Sequence, residues 1–187
     1  MQPCHSAGMS PASHENGYWI SLAQPDDIPS LQEAASVSWR ATYQAIFDPE
    51  FIERFLAQAY SAASLERAFQ DARTHFLVAR INADPEAGVL AFCQVGPPSH
   101  PDGAPPACGE LYRLYVRPAY QRRGIGRQLL GVAEDWLAGQ GYLRYGCYVH
   151  ARNDRGKAFY WQMGFNRRPL RDLEDEWYLV KELVTHT

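Results

Sequence analysis

The segment GELYRLYVRPAYQRRGIGRQLL, residues 109 to 130, decides the fold of this chain. Apolar and aromatic residues dominate from Glu110 to Val116 and predict a β-strand. Gln121-Arg122-Arg123-Gly124-Ile125-Gly126 follows and opens an amphipathic helix. A helix start leaves its first backbone N–H groups without helical partners and carries partial positive charge, so phosphate oxygens are its natural ligands. The strand, loop and helix therefore predict a pyrophosphate-binding turn.

Two glycines and three arginines give this turn its chemistry. Gly124 and Gly126 lack a Cβ, so a ligand can approach the backbone directly. Arg122, Arg123 and Arg127 supply charge that can engage phosphate through multidentate hydrogen bonds. The position where dinucleotide-binding loops carry a third glycine holds a leucine, and no Gly-Lys-Ser/Thr occurs in the chain. Both of those nucleotide-binding loops are therefore excluded.

The turn is one of three segments in which the sequence resembles the GNAT-type superfamily of N-acetyltransferases, which use acetyl-CoA. The other two are YGCYVHARND at residues 145 to 154 and AFYWQMGF at residues 158 to 165. In that family the first segment is the central strand, the phosphate loop and its helix. The second is the next parallel strand, and the third is a helix that carries a tyrosine. The resemblance implies a single α/β domain with a mixed, splayed β-sheet flanked by helices.

The N-terminal half is compatible with the same family. Trp39 and Tyr43, followed by Phe47-Asp48-Pro49-Glu50, resemble the first two helices of its small-molecule members. Residues 1 to 16 are rich in Ser, Pro, Gly and His without periodicity, which predicts a flexible N-terminal extension. Residues 17 to 187 are then the acetyltransferase domain, since a chain of this size normally forms one well-buried domain.

Periodicity and helix breakers predict the other elements. Asp27 and Asp48-Pro49 are suited to begin two helices. The prolines and glycines of the stretch from Gly96 to Gly109 favour an irregular loop beside the acceptor pocket. The remaining expectations are strands at residues 18–22, 75–81, 89–95, 145–149 and 176–183, a turn at 82–88, helices at 64–72 and 154–163, and a helix from 125 that stops near 139.

The resemblance implies acetyl-CoA as co-substrate. The backbone of Leu114 to Val116 would pair with the pantetheine arm as an added strand. Asn153 resembles a cofactor-contacting asparagine of the family, although a helix cap is the alternative role for it. The residues that the resemblance assigns to acyl-CoA binding are Leu114, Tyr115, Val116, Gln121, Arg122, Arg123, Gly124, Ile125, Gly126, Arg127, Asn153 and Tyr160.

Glu110 and Tyr160 are the candidate catalytic residues. An alkylammonium of ordinary pKa ~10.4 is only about 1 part in 2,500 neutral at pH 7, at a cost of roughly 4.6 kcal/mol, so a base is needed. Glu110 occupies the family position of a proposed general base that acts through water, although a solvated carboxylate is the alternative. Tyr160 matches the tyrosine of the family's A-x-Y-x-x-x-G-F helix, where a phenol can protonate the departing thiolate.

Composition excludes several other classes of protein. The net charge of −3 and the scattered basic residues argue against nucleic-acid binding. No apolar stretch is long enough to cross a membrane, and residues 1 to 17 lack a signal-peptide core, so a cytoplasmic location is expected. The four cysteines form no C-x-x-C pair and the six histidines lack ligand spacing, so no metal is expected.

The expected acceptor is the amine of a small molecule. Peptide N-terminal acetyltransferases of the superfamily commonly carry a glutamate five residues before the asparagine, where this chain has Tyr148. Two alternatives stay open: a protein or peptide N-acetyltransferase, and a noncatalytic acyl-CoA-binding module, against which Tyr160 argues. A homodimer is compatible with all three. Acidic residues that could attract a cationic amine, or simply be solvated, are Asp48, Glu50, Glu53, Asp172, Glu174 and Asp175.

Overall fold

The computed structural model describes residues 17–81, 88–101 and 104–184, which form a mixed sheet covered by helices on both faces. The predictions for residues 1 to 16 and for most of the 82–88 turn lie outside these ranges, and the division into an extension and one domain stays a prediction. The strands are β1 Tyr18–Leu22, β2 His75–Ile81, β3 Val89–Gly96, β4 Cys108–Val116, β5 Arg144–His150, β6 Asn166–Arg167 and β7 Glu176–Glu182. Their order is β1-β2-β3-β4-β5-β7-β6.

The helices follow the apolar periodicity of the sequence. They are α1 Ile28–Tyr43, α2 Pro49–Ala59, α3 Ala62–Gln70, α4 Ile125–Gly139 and α5 Asp154–Gln162. Helix α3 begins two residues before the predicted start, because Ser61 caps it by accepting the Ser64 N–H at 3.2 Å. None of the helices in the described ranges is long and apolar enough to span a membrane.

Two helix starts differ from expectation in their caps. Asp27 and Asp48 do precede α1 and α2, but neither side chain makes a capping hydrogen bond. Asp27 instead accepts the Gln24 N–H at 2.6 Å and forms an ion pair with Arg80 of β2. The ion pair is a tertiary contact that joins the start of α1 to the sheet, so local sequence could not reveal it.

The sheet separates two hydrophobic cores, which is why both of its faces are apolar. Helix α4 packs on one face, where Leu129, Leu137 and Tyr145 are fully buried. Helices α1 to α3 cover the other face, where Leu31, Leu65 and Phe92 are fully buried. The sheet is therefore packed between two layers of helices.

Strands β4 and β5 form the parallel pair that the sequence predicts, but only over a short length. Cys108, Gly109 and Glu110 pair with Arg144, Tyr145 and Gly146, and pairing stops there. Beyond this point β4 stays bonded to β3, while β5 stays bonded to β7 along its whole length. The register of β4 also shifts at Tyr112, a bulge that bends the strand. The two strands diverge, which confirms the splayed sheet.

Gly146 makes the last pair before this divergence, and the ring of Tyr178 occupies the place of its missing side chain. A Cβ built on Gly146 would lie 2.3 Å from the Tyr178 hydroxyl oxygen and 2.4 Å from Cζ. The Tyr178 hydroxyl in turn lies 3.6 Å from the Cys108 Sγ, on the neighbouring strand β4. Glycine is thus required for the tyrosine to pack across the point where the strands part.

We expect Gly146→Ala to destabilise the protein by about 1 to 3 kcal/mol, because Tyr178 must move out of a packed position. Gly131→Ala in α4 is the matched control. Nothing lies within 4 Å of a Cβ at Gly131, so this change should stabilise the helix by about 0.5 to 1 kcal/mol. Denaturant unfolding measures both. Equal stability of the Gly146→Ala and wild-type proteins would contradict the packing argument.

Candidate active site

A cavity of about 590 Å³ occupies the divergence of β4 and β5. Its walls come from both strands, from the start of α4, from α5 and from the C-terminal half of α1. A ligand in this cavity therefore meets two strand edges and three helices.

The predicted pyrophosphate turn lies at one end of the cavity. Gly124 precedes α4 with a φ of +82°, a left-handed conformation that suits glycine, and Arg122 has a φ of +63°. The first helical hydrogen bond runs from the Gln128 N–H to the Gly124 carbonyl at 3.0 Å. The N–H groups of residues 125 to 127 thus have no carbonyl partner within the helix. These residues line the cavity.

The turn is held against the end of β4 and leaves space for an anion. The Gln121 side chain donates to the Val116 carbonyl at 2.9 Å. A Cβ on Gly126 would come within 3.4 Å of Phe159 and 3.6 Å of Val116, so glycine keeps a gap open between α4, α5 and β4. This gap and the free N–H groups fit a pyrophosphate.

The predicted arginines do not all reach the cavity. Arg122 and Arg127 line it and are exposed, which places positive charge at the outer end. Arg123 is absent from the lining and packs over the ring of Tyr120, 5.3 Å from its centroid. The prediction that Arg123 contacts the cofactor therefore has the least geometric support of the set.

The divergent strands provide an open backbone edge. Leu114, Tyr115 and Val116 pair with β3 on one side, and their other side faces the cavity without a strand partner. Tyr148 and Val149 of β5 line the opposite wall. An extended ligand can lie between these walls and use the free backbone groups of β4, as a strand would.

Tyr160 extends from α5 into the cavity lining and is half-buried. Its ring packs against Phe159 and Phe165, with centroids 5.4 and 5.1 Å away. Burial raises the pKa of the Tyr160 phenol well above its ordinary value, and the neighbouring Cys147 adds to this. The phenol is therefore protonated at neutral pH and available as a proton donor.

Glu110 is buried, with 8% of its surface exposed, and belongs to the end of β4 that still pairs with β5. Its carboxylate accepts the Ser99 N–H at 2.8 Å and the Ser99 hydroxyl at 2.8 Å. The adjacent Leu111 lines the cavity, whereas Glu110 does not. A proton could reach this carboxylate from the cavity only through an intervening water.

Asn153 has the helix-capping role that the sequence left open. Its Oδ1 accepts the Gly156 N–H at 2.9 Å at the start of α5. A Cβ on Gly156 would lie 2.7 Å from the Asn153 Nδ2, so glycine is needed beside the cap. Asn153 also lines the cavity, so the cap holds the amide at the cavity wall.

Three residues of α1 line the cavity without having been predicted as site residues: Ser38, Thr42 and Tyr43. The Ser38 hydroxyl is buried and has no hydrogen-bond partner within the described part of the chain. Burial raises the pKa of Tyr43, while its interactions with Tyr115 and Asn153 oppose that shift. Ser38 and Thr42 are one helical turn apart, and this polar pair beside the apolar stripe of α1 is the signal that could have revealed them.

The acidic residues considered as an attraction for cationic amines lie elsewhere. Glu53 accepts two hydrogen bonds from Arg40, and Asp172 is bonded by Arg167 and by the Tyr178 N–H. The cavity lining that the structure describes includes none of the six. Near the site, burial raises the pKa of Glu176, and the neighbouring His150 opposes that shift.

Comparisons with known proteins agree with this geometry. The family model described as the acetyltransferase (GNAT) family matches residues 30–165. A spermidine N(1)-acetyltransferase from Thermoplasma acidophilum is 29% identical over 140 residues, which cover 75% of this chain and 83% of that protein. The crystal structure of the PaiA N-acetyltransferase from the same organism, in complex with coenzyme A, superimposes with a TM-score of 0.76 at 27% identity, covering 88% of this chain and 98% of that one.

A second kind of relative is matched over a smaller region. A mycothiol acetyltransferase from Kocuria rhizophila is 38% identical over 94 residues. These residues cover 49% of this chain and 30% of that protein, so the chain spans less than a third of this relative. The similarity here concerns one part of a larger enzyme.

Proposed function

The chain belongs to the GNAT family of acetyltransferases, and on that premise we propose that it transfers the acetyl group of acetyl-CoA directly to the amine of a small molecule. It is an acyltransferase, as its family and its named relatives are. The observation that carries the proposal is the cavity between β4 and β5. A phosphate-binding turn lies at one end of it and the protonated phenol of Tyr160 lies in its wall.

A small acceptor is supported by the spermidine acetyltransferase relative, whose match covers 75% of this chain. The connection between α1 and α2 is fixed in place next to the cavity-lining Tyr43. Arg152 donates to the carbonyl groups of Ala45 and Ile46 at 3.0 and 3.5 Å, and Phe47 packs edge-on to His150. These contacts fasten the connection to the end of β5.

The proposed binding mode for acetyl-CoA uses the residues that the sequence indicated. The N–H groups at the start of α4 hold the pyrophosphate, with Arg122 and Arg127 beside it. The free backbone edge of Leu114 to Val116 holds the pantetheine arm. Bound acetyl-CoA supplies an activated thioester carbonyl, and a backbone amide of β4 can polarise it.

The proposed mechanism has two proton transfers, one from the amine and one to the sulfur, and a different residue serves each. Glu110 receives through water the proton that the amine loses as the new C–N bond forms. Tyr160 gives its phenolic proton to the sulfur as the C–S bond breaks, and solvent then restores that proton. A phenol of ordinary pKa ~10 already holds its proton at neutral pH, so Tyr160 has a proton to give when the thiolate forms.

The first prediction concerns the acceptor. Candidate amines are screened with acetyl-CoA, and turnover is measured as the release of the free thiol of coenzyme A. The panel contains polyamines, arylalkylamines, amino acids, aminoglycosides and peptides. Turnover is expected with a small-molecule amine. Turnover restricted to peptides would instead identify a protein or peptide acetyltransferase. Tight acetyl-CoA binding without acetylation of any amine in the panel would identify a noncatalytic module. Mass spectrometry of the acetylated acceptor separates transfer from thioester hydrolysis.

The second prediction concerns the pyrophosphate turn. Gly124→Val places a β-branched residue at a φ of +82°, and Gly126→Val fills the gap beside Phe159. Both variants should bind coenzyme A at least about 10-fold more weakly, because the ligand can no longer reach the backbone N–H groups. Titration calorimetry measures this. Gly139→Ala, at the far end of α4, is the control and should bind normally. Unchanged affinity in both valine variants would exclude the proposed pyrophosphate site.

The third prediction concerns Tyr160. Tyr160→Phe should lower kcat by about 10- to 1,000-fold and change acetyl-CoA binding little, because only the proton donor is removed. Steady-state kinetics with the acceptor found in the screen, together with calorimetry, separate the two effects. Tyr142→Phe, which removes a phenol outside the cavity lining, is the matched control and should leave kcat unchanged. If kcat of Tyr160→Phe equals that of the wild type, the thiolate takes its proton from water.

A further inference from the structure

The segment from Pro97 to Pro101, which follows β3, is fastened to β4 at two points. Ser99 donates its N–H and its hydroxyl to the carboxylate of Glu110. The Tyr112 hydroxyl donates to the Pro97 carbonyl. Glu110 and Tyr112 both belong to the half of β4 that precedes the bulge or forms it. The segment is therefore held against this part of the strand.

The two fastenings place this segment at the point where β4 and β5 part. Glu110 and Gly146 form the last pair of these strands. The His100 ring lies edge-on to Tyr148 of β5, with ring centroids 6.3 Å apart. Tyr112 and Tyr148 both line the cavity. The segment thus reaches from β4 to β5 beside the point where the two strands part.

Ser99 provides the hydrogen bonds that replace water at the buried Glu110 carboxylate. A buried carboxylate is costly unless hydrogen bonds replace the water it loses. Ser99 provides these bonds to both carboxylate oxygens, at 2.8 Å each. Two oxygens offer about four acceptor sites, so sites remain for a water that faces the amine. The titratable groups whose charge interacts with Glu110 are Cys108, Tyr112, Cys147 and Glu176.

We propose that Ser99 is a positioning residue, which fixes the Glu110 carboxylate at the point where β4 and β5 part. The inference rests on the proposed function, in which Glu110 takes the acceptor's proton through water. Ser99 itself does not touch the reacting atoms. It acts by holding the carboxylate in one orientation, and the hydrogen bond from Tyr112 to Pro97 keeps Ser99 within reach of Glu110.

A double-mutant cycle in the full-length protein tests this inference. Ser99→Ala should lower kcat/KM about 3- to 30-fold, because the hydrogen bonds that orient the carboxylate are lost. In the Glu110→Gln background the same change should alter kcat/KM less than about 2-fold, because Ser99 acts only through Glu110. Ser99→Thr keeps the hydroxyl and should restore most of the activity.

A serine far from the site serves as the control for this test. Ser21→Ala removes a serine hydroxyl from the edge strand β1 and should leave kcat/KM unchanged. An equal loss from Ser99→Ala in both backgrounds, or a failure of Ser99→Thr to restore activity, would overturn the positioning role. The Glu110→Gln profile tests the base separately, since its defect should shrink as pH rises. A pH-independent defect of Glu110→Gln with the coupling retained would refute the role of Glu110 as base but support its positioning by Ser99.

Discussion

The short pairing between β4 and β5 is the constraint on which the rest of this structure depends. The two strands share only three residue pairs and are then held apart, because β4 stays bonded to β3 and β5 stays bonded to β7. In an ordinary sheet the unpaired backbone groups along this gap would be costly. Here they line a cavity between two packed helical layers, so a bound acyl donor can satisfy them. In the proposed binding mode, these unpaired backbone groups are the ones that the pantetheine arm would bind.

The two ends of the gap differ in chemistry because different elements close them. The outer end is closed by the start of α4, where backbone N–H groups and exposed arginines favour phosphate. The inner end is lined by phenols, among them Tyr43, Tyr148 and Tyr160. Burial raises the pKa of the Tyr160 phenol, while Glu110 lies just outside the lining and is held by Ser99. In the proposed mechanism these two groups serve the two proton transfers.

The local part of this arrangement is predictable from sequence. The strand from Glu110 to Val116, the turn at Gln121 to Gly126 and the helix from Ile125 are contiguous, and each has its own periodicity or glycine signal. The same holds for Tyr160 on α5 and for the cap at Asn153. The expected caps at Asp27 and Asp48 were wrong in detail. Asp27 instead forms an ion pair with Arg80, which is distant in sequence.

The sequence by itself determined the family, the parallel β4–β5 pair and the position of the glycine turn before α4, because all of these depend on neighbours within one or two elements. Only the tertiary structure decided how long β4 and β5 stay paired, which side chains of α1 reach the cavity, and what holds Glu110. The Ser99 contact crosses an irregular loop, and the Arg152 contact to Ala45 and Ile46 joins residues more than 100 positions apart. Sequence periodicity cannot predict such contacts, since they arise when packing brings separate elements together.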